Sequence, residues 1–306
     1  MKILVTGGAG YKGTLLIPML LEAGHSVVLL DSFLWGVRAV LHFATHPALE
    51  IVEGDVRDLP TVRRAATGCD VLVHLAAVVG YPACAADPQR ARTTNVDGTR
   101  NVVQAAEGRR ILFASTGSTY GKVEGVCTEE TPIDPLTLYG STKWEGERRV
   151  TEHGGVALRL ATVFGVSPRL RLDLLVNDFV YQALSHRQII LYEGHFRRTF
   201  LHVADAAAAY PFALEHYEAM AGQAFNVGDE AMNYTKKEIA LAVRQHADYY
   251  LHEAEVGRDR DQRDYEVSYA KLKQLGFAAG RSLDDGLREL VKVLRHLHIR
   301  NEWRNA

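Results

Sequence analysis

The chain opens with Met1-Lys2-Ile3-Leu4-Val5-Thr6-Gly7-Gly8-Ala9-Gly10-Tyr11-Lys12-Gly13, and Thr14 to Ala23 follows with helical spacing. A short apolar run passes straight into a glycine-rich turn and then into a helix. Strand, tight turn and helix in that order form the first unit of a doubly wound α/β sheet. Glycine permits the tight turn and lets backbone approach a pyrophosphate. The helix N-terminus then offers free N–H groups and a positive dipole end to the anion. Gly7, Gly10, Tyr11, Lys12 and Gly13 are therefore the expected phosphate cradle. The spacing is GxxGxxG rather than the usual GxGxxG. Such a pattern by itself is often only a turn, and its position at the first βα junction is what argues for a dinucleotide.

The same rhythm continues outward. Lys2 to Thr6, Ser26 to Asp31, Leu49 to Gly54, Asp70 to Ala76, Arg110 to Ser115 and Gly155 to Ala161 read as strands. The apolar ones are too continuous for a half-exposed sheet and fit parallel strands covered on both faces. Helical stretches lie between them, among them Ala85 to Ala106 and Leu136 to His153. After Gly165 the alternation loosens. Helices are expected at Leu172 to Leu184, Ala204 to Leu214, Lys236 to His246 and Leu283 to Leu297, with Pro211 kinking or interrupting the second of these. Short strands are expected at Gln188 to Tyr192 and Thr199 to His202, and Ala224 to Val227 is placed to rejoin the main sheet. The expected division is a dinucleotide-binding domain of residues 1–164 plus about 203–228, interleaved with a smaller α/β lobe of about 165–202 plus 229–306.

Composition narrows the function classes. The 306 residues are 47% hydrophobic and 24% charged, with a net charge of −2, which is ordinary for a globular chain and offers no basic field for nucleic acid. Cys69, Cys84 and Cys127 are widely spaced. They form neither a disulfide framework nor a zinc pattern, so a reducing cytoplasm is expected and a structural metal is not. There is no signal-peptide pattern at Met1, and no run of about 18 apolar residues to span a membrane.

Asp31 ends the second strand, 18 residues after Gly13. An acid there either accepts hydrogen bonds from a ribose 2′-OH, favouring NAD over NADP, or caps the following turn. Asp55 and Val56, after the third strand, either meet the adenine edge or form an ordinary turn. Tyr139 and Lys143 stand at i and i+4, on one face of a helix. An ammonium near a phenol stabilises the phenolate, which makes Tyr139 a candidate general base for an alcohol. Many exposed helices carry such a pair. What adds weight is the strand Ile111 to Ala114, which ends in the hydroxyl cluster Ser115-Thr116-Gly117-Ser118-Thr119-Tyr120. The C-terminal edge of an open α/β sheet is where ligands bind.

With these motifs assembled, the chain resembles the extended short-chain dehydrogenase/reductase family, in its nucleotide-sugar epimerase/dehydratase branch. The resemblance rests on Thr6 to Gly13, Gly54-Asp55-Val56, His74-Leu75-Ala76-Ala77, Asn95-Val96-Asp97-Gly98-Thr99, Ser115 to Gly121, the Tyr139/Lys143 pair and Arg198-Thr199-Phe200-Leu201-His202-Val203. It implies a Rossmann domain holding NAD(P), read here as NAD from Asp31, and a smaller lobe holding a nucleotide-diphospho-sugar. It places Leu75, Ala76, Ala77 and Asn95 at the cofactor. It makes Thr116 the active-site hydroxyl, Tyr139 the base and Lys143 its partner, with Tyr139 and Lys143 also touching the cofactor. Thr116, Ser118, Tyr139, Asn177, Arg198 and Arg263 are the implied substrate contacts. Arg198, like Arg197, is equally readable as a solvated strand arginine. A homodimer is implied through the helices at Ala85 to Ala106 and Leu136 to His153, which otherwise read as ordinary core helices.

Family members that dehydrate or decarboxylate carry acids just after the threonine, where this chain has Gly117 and Ser118. The expectation is therefore a 4-epimerase working through a transient 4-keto sugar, with bound NAD as hydride carrier. The alternatives are a 4-ketoreductase or sugar dehydrogenase, and a non-catalytic NAD(H) sensor. Thr162 and Thr199 depart from the family pattern, where an Asn and an Asp are common. A Cys84 or Cys127 acid/base competes with the commoner reading of buried, inert thiols.

Overall fold

The structure is a computed structural model that describes residues 1–123, 125–254, 264–296 and 305. Seven parallel strands form the main sheet. The first half of the chain runs β1 (Lys2–Thr6), α1 (Gly13–Glu22), β2 (Ser26–Asp31), β3 (Leu49–Glu53), α2 (Leu59–Ala66) and β4 (Val71–His74). It continues with α3 (Tyr81–Ala86), α4 (Pro88–Arg92), α5 (Gly98–Ala106), β5 (Arg110–Thr116), the two-residue β6 (Val126–Cys127), α6 (Leu138–Glu152) and β7 (Val156–Leu160). Then come β8 (Thr162–Phe164), α7 (Leu175–His186), β9 (Gln188–Tyr192), β10 (Arg197–His202), α8 (Val203–Glu215), α9 (Tyr217–Met220) and β11 (Ala224–Val227). The last elements are β12 (Asn233–Thr235), α10 (Lys236–Val243), β13 (Tyr250–Ala254), β14 (Glu266–Val267), α11 (Ala270–Gln274) and α12 (Leu283–Leu294).

The sheet order is β11-β7-β5-β4-β1-β2-β3. From β1 the chain first builds outward through β2 and β3, then returns to place β4 on the other side. That reversal opens a crevice at the C-terminal ends of β1 and β4, the usual ligand position in such sheets. The central strands are apolar along their whole length because both faces are covered: Ile3, Leu4 and Val5 have no exposed surface. β3 is the edge strand, and Glu50, Ile51 and Glu53 are exposed on it. Its charged ends suit an edge.

Helix limits differ from the sequence expectation for local reasons. The stretch from Ala85 to Ala106 is not one helix. Pro88 starts a new one, capped by the Asp87 side chain accepting from Arg90 N, and residues 93–97 widen into a π turn before α5. Pro211, expected to kink or interrupt its helix, does not interrupt it and lies inside the continuous α8. The second lobe has its own core, in which Phe164, Leu172, Phe179, Phe200, Ile239, Leu287 and Leu290 pack together. The lobes are joined at the first turn of α1. Tyr11 donates its hydroxyl to Gly165 O at 2.6 Å, and Ser167 Oγ donates to Tyr11 O at 2.7 Å.

Candidate active site

Where the lobes meet, a cleft of about 500 Å³ runs across the C-terminal ends of β1, β2, β4, β5 and β7. Its floor is the glycine turn. Gly7 has φ of 72°, and a Cβ there would lie 2.6 Å from Ala76 N. No other residue combines that backbone conformation with so close an approach of β4 to the turn. At the head of α1, Thr14 N is bonded to Gly10 O at 3.1 Å and Leu15 N to Lys12 O at 3.1 Å, and Gly10, Tyr11, Lys12 and Gly13 line the cleft at that point. The Asp31 carboxylate accepts from Ala9 N at 3.0 Å and Phe33 N at 2.9 Å, so it joins the turn to the end of β2. Burial raises its pKa, and those N–H groups oppose the rise. Asp55 also lines the cleft, with its carboxylate held by Arg57 at 2.6 Å and its pKa lowered by that contact. Val56, Leu75, Ala76 and Ala77 complete this wall.

The opposite wall carries the hydroxyl groups. Thr116 ends β5; its Oγ1 donates to Ser118 Oγ at 3.1 Å and accepts from Ser118 N at 3.2 Å. α6 begins at Thr137, whose hydroxyl caps Gly140 N at 3.1 Å. A Cβ on Gly140 would lie 2.6 Å from Ser118 O. The bare glycine thus lets the helix that carries Tyr139 touch the turn that follows Thr116. Thr116, Ser118, Tyr139 and Lys143 all line the cleft. Lys143 is 3% exposed, and its ammonium sits 4.0 Å from the centre of the Phe113 ring. Burial, helped by the charge of Lys12, brings its pKa down from 10.5 to about 7. Lys12 falls to the same value through burial and the charge of Arg171. An anion placed beside these cations would oppose both shifts.

Two of the expected contacts do not reach the cleft wall. Asn177 is fully buried, and its amide accepts from Gly165 N at 2.9 Å and donates to Arg171 O at 2.8 Å and Tyr11 Oη at 3.3 Å. Asn95 brackets Val78 through both its N–H and its carbonyl and donates to Thr142 Oγ1 at 3.0 Å. Both side chains are spent on shaping the loops that border the cleft. Arg198 does line it, with Nη1 donating to Arg197 O at 3.0 Å. Arg263 lies outside the described residues. Cys84 and Cys127 are buried, and burial raises each thiol to about 11. Thiols held protonated in this way are poorly suited to acid/base exchange near neutral pH.

The structure adds residues that the sequence reading missed. Arg169 and Arg171 line the cleft from the loop after β8. Arg171 pairs with Asp173 at 2.6 Å, and the Arg169 guanidinium lies 4.8 Å from the Trp35 ring centre. Tyr265 donates to Gly117 O at 2.7 Å from the far end of the chain. Two arginines two apart beside Pro168 were a signal. Trp35 and Tyr265, isolated in sequence, were not.

The model of the NAD dependent epimerase/dehydratase family matches residues 3–228. The chain is 30% identical over 305 residues to the low-salt glycan biosynthesis protein Agl12 of Haloferax volcanii, covering 95% of this chain and 97% of that protein. It is 28% identical over 321 residues to UDP-glucuronic acid decarboxylase 1 of Arabidopsis thaliana, covering 99% of this chain and 71% of that one. The structure of the Thermus thermophilus UDP-glucose 4-epimerase complex with NAD superposes with a TM-score of 0.83 at 26% identity, over 97% of this chain and 99% of the other.

Proposed function

Since the chain belongs to the NAD dependent epimerase/dehydratase family, we propose that it is an enzyme that inverts C4 of a nucleotide-diphospho-sugar. One observation carries the choice among the family's reactions. Thr116, Tyr139 and Lys143 line one cleft with the glycine turn, and the positions after Thr116 hold Gly117 and Ser118. Among the described residues, the acids lining the cleft are Asp31, Asp55 and Asp87, at the ends of β2 and β3 and the head of α4. Removing water calls for an acid and a base at the sugar beyond Tyr139, and among the described residues no carboxylate of the cleft stands beside Thr116. A UDP-glucose 4-epimerase among the structural relatives agrees with this choice, and UDP-glucose is the first substrate to offer.

NAD fits the cleft as its residues stand: the turn at Gly7 admits no side chain, the N-terminus of α1 and Lys12 suit its diphosphate, and Asp31 suits a ribose diol. When bound, NAD supplies the acceptor and later the donor of a hydride. Tyr139, as phenolate, takes the proton of the C4 hydroxyl. Thr116 holds the same oxygen by a hydrogen bond as it becomes a carbonyl oxygen. Lys143 stabilises the phenolate and orients the nicotinamide ribose. Arg198 anchors the substrate diphosphate, leaving the hexose free to turn its other face before Tyr139 returns the proton.

Two measurements test this reading. Denatured pure protein is expected to release close to one NAD per chain, and UDP-glucose is expected to reach equilibrium with its C4 epimer without added cofactor. An empty protein that consumes added NADH or NADPH with a 4-keto sugar would make it a ketoreductase instead. Dinucleotide binding to cofactor-stripped protein should also take up protons. Above pH about 7 Lys12 is largely neutral in the empty cleft, and a diphosphate placed beside it raises its pKa. Calorimetry at pH ~8 in buffers of different ionisation enthalpy should therefore show uptake, which disappears near pH ~6 where Lys12 is already charged.

A further inference from the structure

The catalytic helix carries a third polar group on the face of Tyr139 and Lys143. Glu147 follows Lys143 by one more step of four, and it is 1% exposed. It does not line the cleft. Its carboxylate accepts from Arg159 Nη2 at 2.6 Å and from Arg159 Nε at 3.0 Å, and also takes the Ser115 hydroxyl. Ser115 immediately precedes Thr116 on β5, and in the sheet register it lies opposite Arg159 of β7. Arg159 is fixed in turn: Nη1 donates to Tyr120 Oη at 2.9 Å, and that hydroxyl donates to Asn226 Oδ1 of β11 at 2.6 Å. One carboxylate thus ties α6 to β5 and β7, and through Arg159 and Tyr120 to β11, next to the residue that carries the active-site hydroxyl.

We infer that Glu147 is a positioning residue of the reaction, latching α6 to the end of β5 through Ser115 and Arg159 so that Tyr139 and Lys143 meet Thr116 at a fixed distance. The inference rests on the roles given to those three residues above. A buried ion pair is a poor way to gain stability, because desolvation offsets the attraction and an apolar pair of equal volume often does as well. What such a pair provides here is direction. Its bonds join the helix to the strands at named atoms, whereas apolar packing lets a helix slide. Small displacements of reacting groups are costly to rate. Glu147 also places a negative charge one turn from Lys143 and acts to raise its pKa, against the lowering by burial and Lys12. The other titratable groups facing the pair are His74 on β4, Cys84 on α3 and Tyr210 on α8. None of them belongs to the latch.

Ser115→Ala is the clean test, because it removes the hydroxyl link and leaves the Glu147–Arg159 pair in place. The variant should keep its NAD content and its KM, lose a few degrees of melting temperature for the bond taken from a buried carboxylate, and lose about tenfold or more in kcat. Glu147→Gln should in addition move the kcat–pH profile to lower pH, because loss of the charge makes Lys143 and Tyr139 release protons more readily. Glu147→Asp, which keeps the charge, should restore the profile but not the full rate. The Tyr139 phenol is also titrated by difference absorbance against Tyr139→Phe, a readout that needs no substrate. Its midpoint should shift in Ser115→Ala and Glu147→Gln. If the native protein turns over no nucleotide-sugar, the 4-epimerase reading fails and the phenol titration alone decides the latch. An unchanged Tyr139 titration in both variants, or wild-type kcat in Ser115→Ala, overturns it.

Discussion

Tyr139→Phe is expected to lower kcat by at least about 100-fold, the range that one positioned acid/base group supplies, while NAD and nucleotide-sugar still bind. The change removes one oxygen and keeps the ring, so the packing of α6 against the Thr116 turn persists. Lys143 remains over Phe113 and Thr116 remains bonded to Ser118. What is lost is the group proposed to receive the C4 proton. Neighbouring groups cannot substitute. Burial pushes the Tyr210 phenol far above its ordinary value, and it holds the Cys84 thiol at about 11. His74, the nearby imidazole, bonds Thr6 and Thr99 and is driven down to about 3 by burial. The readout is kcat by chromatographic separation of the C4 epimers, together with the NAD content of the variant. A variant that turns over at the native rate would remove Tyr139 from the chemistry and with it the mechanism proposed above.

Gly7→Ala should have the largest effect on the cofactor, although it adds only a methyl group. At φ of 72° an alanine is strained, by about 1–2 kcal/mol. Its Cβ would also stand 2.6 Å from Ala76 N and 2.7 Å from Ala76 Cα. Both atoms are backbone, so no side chain can swing away, and the end of β4 must move relative to the turn. Together these terms amount to about 2–4 kcal/mol. For a chain of this size that lowers the melting temperature by about 3–6 °C. The displacement falls on the two segments proposed to face the dinucleotide, so the purified variant should hold less than about a tenth of the native NAD. Full NAD content with an unchanged melting temperature would mean that the turn is not the phosphate cradle.

The fold was legible early in the chain because its signals are local. Lys2 to Thr6 reads as a strand because uninterrupted apolar residues can be buried on both faces. Gly7 to Gly13 reads as a turn because few other residues tolerate its backbone. Ala224 to Val227 could be assigned to the main sheet from its apolar character and its position after a long helix, and the sheet order agrees. Errors came where local rules compete. Pro88 split an otherwise continuous helical pattern, while Pro211, which the same rule expected to kink or interrupt α8, did not interrupt it.

The functional wall divides along the same line. Residue types at fixed spacing determined the glycine turn, the Tyr139–Lys143 pair and the hydroxyl cluster at the end of β5, because each is made by neighbours in sequence. The tertiary structure alone decided which polar groups meet the cleft and which serve its walls. Asn95 and Asn177 look like ligand contacts in a motif, yet their amides are consumed by Val78, Thr142, Gly165 and Arg171. Trp35, Arg169 and Tyr265 reach the cleft from loops far apart in sequence. Lys12 and Lys143 acquire their low pKa values from burial and from the cations beside them. Burial and hydrogen-bond competition depend on what the rest of the chain brings within a few ångströms. Sequence spacing records only the part of that neighbourhood contributed by one helix, strand or turn.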